Sequence, residues 1–192
     1  MSLPPAVSSS NASLQPLPIA PSLARLNAEF DALDACHQKV LDTLAELGMV
    51  LERLQDEGVS AAVRAGAQRV VTFFDTTAHD HHAEEDRLVF PPLLEGTDAG
   101  LAEKVRRLQQ DHVWLEQDWQ ELKLQLEAIA KGYSWYDPDQ LRAAVGVFVA
   151  LYLDHIDLEE SIVYPSAHRR LSERAHAGAA RVAAEQQRLR AA

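Results

Sequence analysis

The sequence contains a single cysteine, Cys36, among 192 residues, and far fewer basic than acidic side chains. One cysteine excludes an internal disulfide framework and favours a reducing compartment. With 18 Lys and Arg against 29 Asp and Glu, the formal net charge is −11. Nucleic acids and anionic membranes are bound by clustered cations, so neither is expected as a partner. Since no apolar run approaches the roughly 18–20 residues of a membrane helix, we expect a cytoplasmic protein.

Basic residues are also missing from the first 22 positions, where prolines interrupt the apolar residues. A secretory signal needs a basic start and an unbroken apolar stretch, so residues 1–22 are predicted to be a flexible, disordered leader. The remainder is long enough for one domain with its own core. We place that domain at residues 23–168 and expect the Ala- and Arg-rich residues 169–192 to form a fifth helix or a tail.

No segment alternates apolar and polar residues in the way that β-strands do. Apolar residues recur instead at steps of three and four, which is typical of amphipathic helices, in four segments of about 30 residues. The first segment is expected to end at Gly58 and the second at Pro91-Pro92. The third should end at Gly132 and the fourth before Pro165. This pattern predicts an all-α protein, an antiparallel up-down four-helix bundle.

A histidine interrupts each of the four apolar stripes, and on two helices a glutamate follows four residues later on the same face. Each glutamate lies six residues before a proline, and the two lone histidines precede the paired ones by 44 and 43 residues. The chain therefore resembles two similar hairpins packed about a pseudo-twofold axis. We expect six side chains to meet at one level of the bundle: His37, His81, Glu85, His112, His155 and Glu159.

These inward groups predict a metal centre. A buried, unpaired carboxylate costs several kcal/mol, and the inner faces carry no Lys or Arg to neutralise one. Divalent metals bind carboxylate and neutral imidazole directly. Twofold symmetry divides the six groups between two ions, each with two histidines, both glutamates and a shared oxo or hydroxo bridge. That leaves an open position on each ion, as in reactive sites. Ligation by N and O without thiolate suits iron, manganese or zinc, and the bridged geometry favours iron.

Five neighbouring side chains are interpreted mainly as structural. His79 and His82 lie off the inner face and are expected on the polar surface, with orientation of the ligands as the alternative. Cys36 is expected to be a buried structural thiol, with a redox role as the alternative. Trp119 and Tyr152 are expected to pack in the core, although they are close enough to line the pocket or to carry an electron.

The segments "HHAEEDRLVFP" and "HIDLEESIVYP", together with one lone histidine on each of the first and third helices, resemble the hemerythrin-like (HHE cation-binding) family. The similarity covers about Leu23 to His168. It implies a four-helix bundle around a non-haem di-iron centre. By this resemblance the ligands are four histidines and two bridging carboxylates: His37, His81, His112, His155, Glu85 and Glu159.

One departure from the oxygen-carrying members of that family is informative. They place a second histidine four residues after the one on the third helix, where this sequence has Glu116. The resemblance is therefore to the di-iron proteins of iron–sulfur-cluster repair and nitric-oxide stress. Glu116 is expected at the edge of the inner face, with a role as a seventh ligand or a gate as the alternative.

Three functional hypotheses follow. In the first, the protein binds and reacts with O2, NO or peroxide at two iron ions, supplied by an electron donor that the sequence does not identify, in stress defence or cluster repair. In the second, it senses oxygen, iron or redox state without turnover. In the third, it is a scaffold holding zinc or no metal. Neither the choice between catalysis and sensing nor the oligomeric state follows from the sequence.

Overall fold

The computed structural model describes residues 23–191, which are helical apart from short connections and contain no strand. The predicted leader, residues 1–22, lies outside the described residues. Four long helices are present, and the second and fourth contain π-helical turns. The first is α1 (Leu23–Glu57) and the third is α5 (Ala99–Ala130). The second comprises α2 (Ala61–Phe73), a π turn (Phe74–Ala78), α3 (His79–Glu84), a π turn (Glu85–Val89) and α4 (Phe90–Leu94). The fourth comprises α6 (Pro138–Leu158), a π turn (Glu159–Val163) and α7 (Tyr164–Ala191).

Short polar connections start and stop these helices. The N–H of Val63 donates to the Ser60 hydroxyl at 3.3 Å, which caps the second helix, and Asp98 and Asp137 cap the third and fourth. Gly58 ends the first helix with a φ of 66°, a conformation that costs residues with a Cβ more than glycine. Gly132, with a φ of 89°, follows the third helix in the same way.

The helices form the predicted antiparallel bundle, in which each packs against its sequence neighbours and the fourth packs against the first. Two apolar clusters fill the interior. The large apolar cluster lies towards the connections at residues 58–60 and 131–137 and includes Leu47, Val70, Leu122 and Phe148. The small apolar cluster lies towards the connection at residues 95–98 and includes Leu33, Phe90, Leu108 and Val163. A layer of buried polar side chains separates them.

The predicted ends of the second and fourth helices were wrong. The second helix runs through Pro91-Pro92 to Leu94. The fourth runs through Pro165 to Ala191, so residues 169–191 extend the fourth helix and do not form a separate fifth helix or an unstructured tail. From Arg181 onwards this extension is exposed along its whole circumference.

Wider helical turns explain why the prolines do not end the helices. A proline ring in an α-helix collides with the carbonyl four residues back. Here a π turn precedes each proline, and the residue before the proline donates its N–H to the carbonyl five residues back, Phe90 to Glu85 and Tyr164 to Glu159. Such a turn has more room, and its occurrence next to functional groups is common. Both turns begin at a glutamate of the polar layer.

None of the helices between residues 23 and 191 combines the length and the apolar character that a bilayer-spanning helix needs.

Candidate metal centre

The polar layer contains all six side chains that the sequence placed at one level. On each helix the histidine lies between a residue of the large apolar cluster and one of the small apolar cluster, for example His37 between Val40 and Leu33. All six are buried, and both glutamates have no exposed surface. The structure thus brings the six together, while their role as ligands remains a prediction.

Each glutamate reaches histidines of both hairpins. The carboxylate of Glu85 has one oxygen 3.4 Å from Nε2 of His81, on its own helix, and the other 3.4 Å from Nε2 of His112. One oxygen of Glu159 lies 3.3 Å from Nε2 of His155 on its own helix and 3.2 Å from Nε2 of His37. The carboxylates therefore lie between the histidine pairs, where bridging groups would be.

Two acidic side chains that the sequence analysis missed orient the lone histidines across the hairpins. Nδ1 of His37 is 3.0 Å from the Glu160 carboxylate, and Nδ1 of His112 is 3.3 Å from that of Asp86. Each contact leaves Nε2 directed into the centre, which is how carboxylates fix metal-binding histidines. The signal was available, since Asp86 and Glu160 each directly follow the repeated glutamate.

Tyr164 was also missed as a site residue. Its hydroxyl donates a hydrogen bond to the Glu85 carboxylate and lies 3.3 Å from Nε2 of His37. Its ring stacks on His37 with a centroid separation of 5.2 Å. Phe90 occupies the equivalent position before the other proline and stacks on His112 at 5.5 Å. Each lone histidine therefore has an aromatic ring stacked on it, but only the Tyr164 ring carries a hydroxyl.

We expect Tyr164→Phe to lower the free energy of unfolding of the metal-free protein by about 1.5–3 kcal/mol, because a buried charged acceptor loses a donor. Urea denaturation measures this change. The fold accepts phenylalanine at the equivalent Phe90, so a packing defect should be small. Tyr152→Phe, at a buried tyrosine whose ring contacts His82, is the control. Equal stability of the Tyr164 variant and wild type would contradict the assigned hydrogen bond.

The lone histidines are held in their protonated form in the metal-free protein. Burial by itself lowers the pKa of His37, but the adjacent carboxylates of Glu159 and Glu85 outweigh it and raise the pKa to about 10. For His112 burial is outweighed by the carboxylates of Asp86 and Glu85, and the pKa rises to about 9. His81 behaves differently: burial, helped by the charge of His37, lowers its pKa to about 4.

The pKa values of the two glutamates are shifted in opposite directions. Burial raises the pKa of Glu159 well above its ordinary value, and the charge of Glu85 adds to this effect. Burial opposes ionisation of Glu85 too, but the close imidazoles of His112 and His37 hold its pKa well below the ordinary range. Two carboxylates in one dry site cannot both ionise easily without a compensating cation.

Several buried polar atoms of the layer have no hydrogen-bond partner among the described residues. They include both carboxylate oxygens of Glu159, one oxygen of Glu85, Nε2 of His112, and both ring nitrogens of His81 and His155. Leaving such atoms unpaired costs about 1–3 kcal/mol each. Neutral imidazoles and carboxylates with free lone pairs are the donors that divalent transition metals bind, so the residues present fit a metal.

The donor atoms fall into two groups that could each hold one ion, with the atoms of a group within 4.8 Å of one another. The first group is His37, His81, Glu85 and Glu159. The second is His82, Glu85, His112 and His155. Glu85 belongs to both groups. The two groups of donors are therefore adjacent and have one carboxylate in common.

The prediction for His82 was wrong. Its ring is partly buried and stacks on His112 at 4.2 Å. Burial, with the nearby charge of His112, lowers its pKa well below the ordinary value. His79, by contrast, is exposed as predicted. Glu116 is exposed, accepts a hydrogen bond from Gln120 at 2.7 Å, and belongs to neither donor group, in agreement with its position at the edge of the inner face.

The remaining neighbours are structural. Cys36 is a buried free thiol, and burial raises its pKa, which disfavours the reactive thiolate. Trp119 packs against Phe74 and donates its indole N–H to Asp75 at 2.9 Å. Tyr152 belongs to the large apolar cluster, and its ring lies 6.5 Å from that of His155. It therefore forms one wall of the centre.

Comparison with known proteins agrees with this geometry. A family model described as "Hemerythrin HHE cation binding domain" matches residues 28–167. A relative described as an uncharacterized protein, from Haemophilus influenzae, is 27% identical over 139 residues, which are 72% of this chain and 78% of the relative. No solved structure matches the chain significantly.

Proposed function

The chain belongs to the hemerythrin HHE cation-binding domain family, and from its metal-binding layer we propose a non-haem di-iron protein that binds and reacts with O2, NO or peroxide. The observation that supports two ions is that Glu85 is shared by two groups of buried donors. Iron is the metal typical of this family, and N/O ligation without thiolate suits it, with manganese or zinc as other occupants.

The proposed ligands are those predicted from the sequence. His37 and His81 would hold one ion, and His112 and His155 the other. Glu85 and Glu159 would bridge them, because each carboxylate reaches histidines of both hairpins. The ions would then satisfy the partnerless oxygens of Glu85 and Glu159, Nε2 of His112 and one ring nitrogen each of His81 and His155.

The chain itself would control water and protons around the centre. When bound, iron supplies redox and Lewis-acid chemistry. The two apolar clusters keep bulk water from the layer on both sides. Burial raises the pKa of Tyr164, so its hydroxyl stays protonated and would hold the Glu85 carboxylate in position through its hydrogen bond.

A cleft of about 490 Å³ lies outside Tyr164 and provides a route for small molecules. It is bordered by the first and fourth helices, and its lining residues are Phe30, Asp34, Glu160, Tyr164, Pro165 and His168. Glu160 and Tyr164 both touch His37, so the cleft ends directly at the metal layer. Such an opening suits a diatomic molecule or peroxide.

Reconstitution with iron tests the proposal. Anaerobic loading with Fe²⁺ should give two iron ions per chain, and exposure to air should produce a near-ultraviolet oxo-to-iron band. Steady-state consumption of NO or hydrogen peroxide with an added reductant would support a role in stress defence or cluster repair. Failure to bind iron, or iron that is inert to O2, NO and peroxide, would overturn the proposal.

The fourth helix favours sensing as the second candidate. It runs without a break from Glu159 in the metal layer to the exposed residues 181–191. A change in ligation at Glu159 would thus act on the same helix that ends in the exposed, Arg-containing residues 181–191. Reversible O2 binding without turnover, accompanied by a change in oligomeric state, would favour this function over catalysis.

Metal uptake should release protons. Because His37 and His112 have raised pKa values, about 10 and about 9, both are protonated at pH 7 in the metal-free fold, whereas ligation needs neutral imidazole. We expect at least about two protons per chain to be released at pH 7, and affinity to increase from pH 7 to pH 9. Calorimetric titration with Co²⁺ in buffers of different ionisation enthalpy measures both. An affinity independent of pH over this range would contradict the assignment.

A further inference from the structure

We propose that His82 is an additional metal ligand, so that the cation position formed with His112 and His155 has three imidazoles and the other has two. The inference rests on the proposed two-metal function and adds a residue to it. It also replaces the symmetric centre expected from the sequence by an asymmetric one.

The position of the His82 ring supports this assignment. One ring nitrogen of His82 lies within 4.8 Å of ligand atoms of Glu85, His112 and His155. The His82 ring centroid is 4.2 Å from that of His112 and 5.5 Å from that of His155. Three imidazoles converge on the same small volume, and free nitrogens of His112 and His155 already point into it.

Two adjacent cation positions explain how neighbouring residues can both be ligands. Successive residues of an α-helix differ in direction by about 100°, so His81 and His82 cannot address a single ion equally. His81 faces His37 across the bundle, with ring centroids 4.8 Å apart, while His82 faces His112. The two side chains therefore diverge towards the two positions that Glu85 joins.

The consequence is an unequal pair of positions. With both glutamates shared, the first position would have two imidazoles and the second three. The hydroxyl of Tyr164 also lies beside the first position, next to His37. Because the second position has one more imidazole than the first, the two ions should differ in affinity and in their spectra.

Titration of the full-length metal-free protein with Co²⁺, followed by its visible absorption, tests the role of His82. The variants are His82→Ala and His82→Phe, with His79→Ala as the matched control on the exposed side of the same helix. Wild type and the control should each bind two Co²⁺ ions. Both His82 variants should lose at least about 10- to 100-fold in affinity for one ion, with altered absorption bands, and keep the affinity for the other.

Added imidazole distinguishes ligation from packing. In His82→Ala it can enter the space left by the ring and should restore the second affinity and the wild-type bands. His82→Phe keeps a ring against His112, so it should resist rescue. If His82 only packed, the phenylalanine variant would behave as wild type and imidazole would have no effect.

The outcomes separate the two levels of the proposal. If wild type binds two ions and the His82 variants bind both with unchanged affinity, the assignment of His82 is overturned and the two-metal function stands. Loss of affinity that phenylalanine prevents would also overturn it. A wild-type protein that binds fewer than two Co²⁺ ions would overturn the two-metal function together with the additional ligand.

Discussion

Replacement of Glu85 by glutamine is expected to weaken binding of both metal ions by more than about 100-fold, the largest effect of any single substitution in the layer. Glu85 is the one side chain common to both donor groups, and it is fully buried. Glutamine has nearly the same shape but carries no charge, so each position loses a negative ligand without a change in packing. Metal analysis after equilibrium dialysis against Fe²⁺ or Co²⁺ measures the stoichiometry.

Glu84 offers a matched control for this substitution. It precedes Glu85 on the same helix, is exposed, and pairs with Arg87 at 2.6 Å, so Glu84→Gln should bind two ions like wild type. Circular dichroism should show the same helix content in both variants. If Glu85→Gln retained two tightly bound ions, Glu85 would not be shared between them and the bridged arrangement would be wrong.

Removal of the metals should lower the melting temperature by about 10–20 °C. A ligand present at 100 times its dissociation constant stabilises the folded state by about 2.7 kcal/mol per site, hence about 5 kcal/mol for two sites. In a domain of this size each kcal/mol corresponds to about 2–4 °C. The physical reason is that the metal-free layer leaves buried oxygens and nitrogens without partners, and cations satisfy them. Thermal unfolding with Co²⁺ or with a chelator measures the difference.

Glu85→Gln provides the internal check on this prediction. Its melting temperature should change little between Co²⁺ and chelator, because it has lost the metal and not the fold. A wild-type protein with the same melting temperature in both conditions would show that the layer does not gain stability from a cation. The scaffold hypothesis, in which the bundle needs no metal, would then be favoured.

Much of the fold could be predicted because it depends on local periodicity. Steps of three and four among apolar residues identified all four helices, and Gly58 and Gly132 marked two of their ends. The predicted ends at the prolines were wrong because the rule that proline ends a helix assumes an α-helical turn. A π turn before each proline removes the collision, and its formation depends on packing that periodicity does not report.

The six predicted side chains lie together. On the second and fourth helices a glutamate follows the histidine by four residues, which places both on one face of the helix. Asp86, Glu160 and Tyr164 were missed although they occupy repeated positions. Their contacts reach across from one hairpin to the other, so the repeat indicates that these positions correspond but not which side chains they contact. His82 was predicted to lie on the surface because only one face of the second helix, that of His81 and Glu85, was expected to point into the bundle.

Local helix chemistry, read from residue order alone, therefore determined the class of fold, the level of the polar layer and the six groups in it. Only the packing of four helices decided which partner each group meets, which half carries the tyrosine hydroxyl, and that the donors form two groups with Glu85 in common. The physical reason is that helical period specifies the direction of a side chain from its own axis. Distances of 3–4 Å between side-chain atoms on different helices depend on how all four helices pack, and no single helix contains that information.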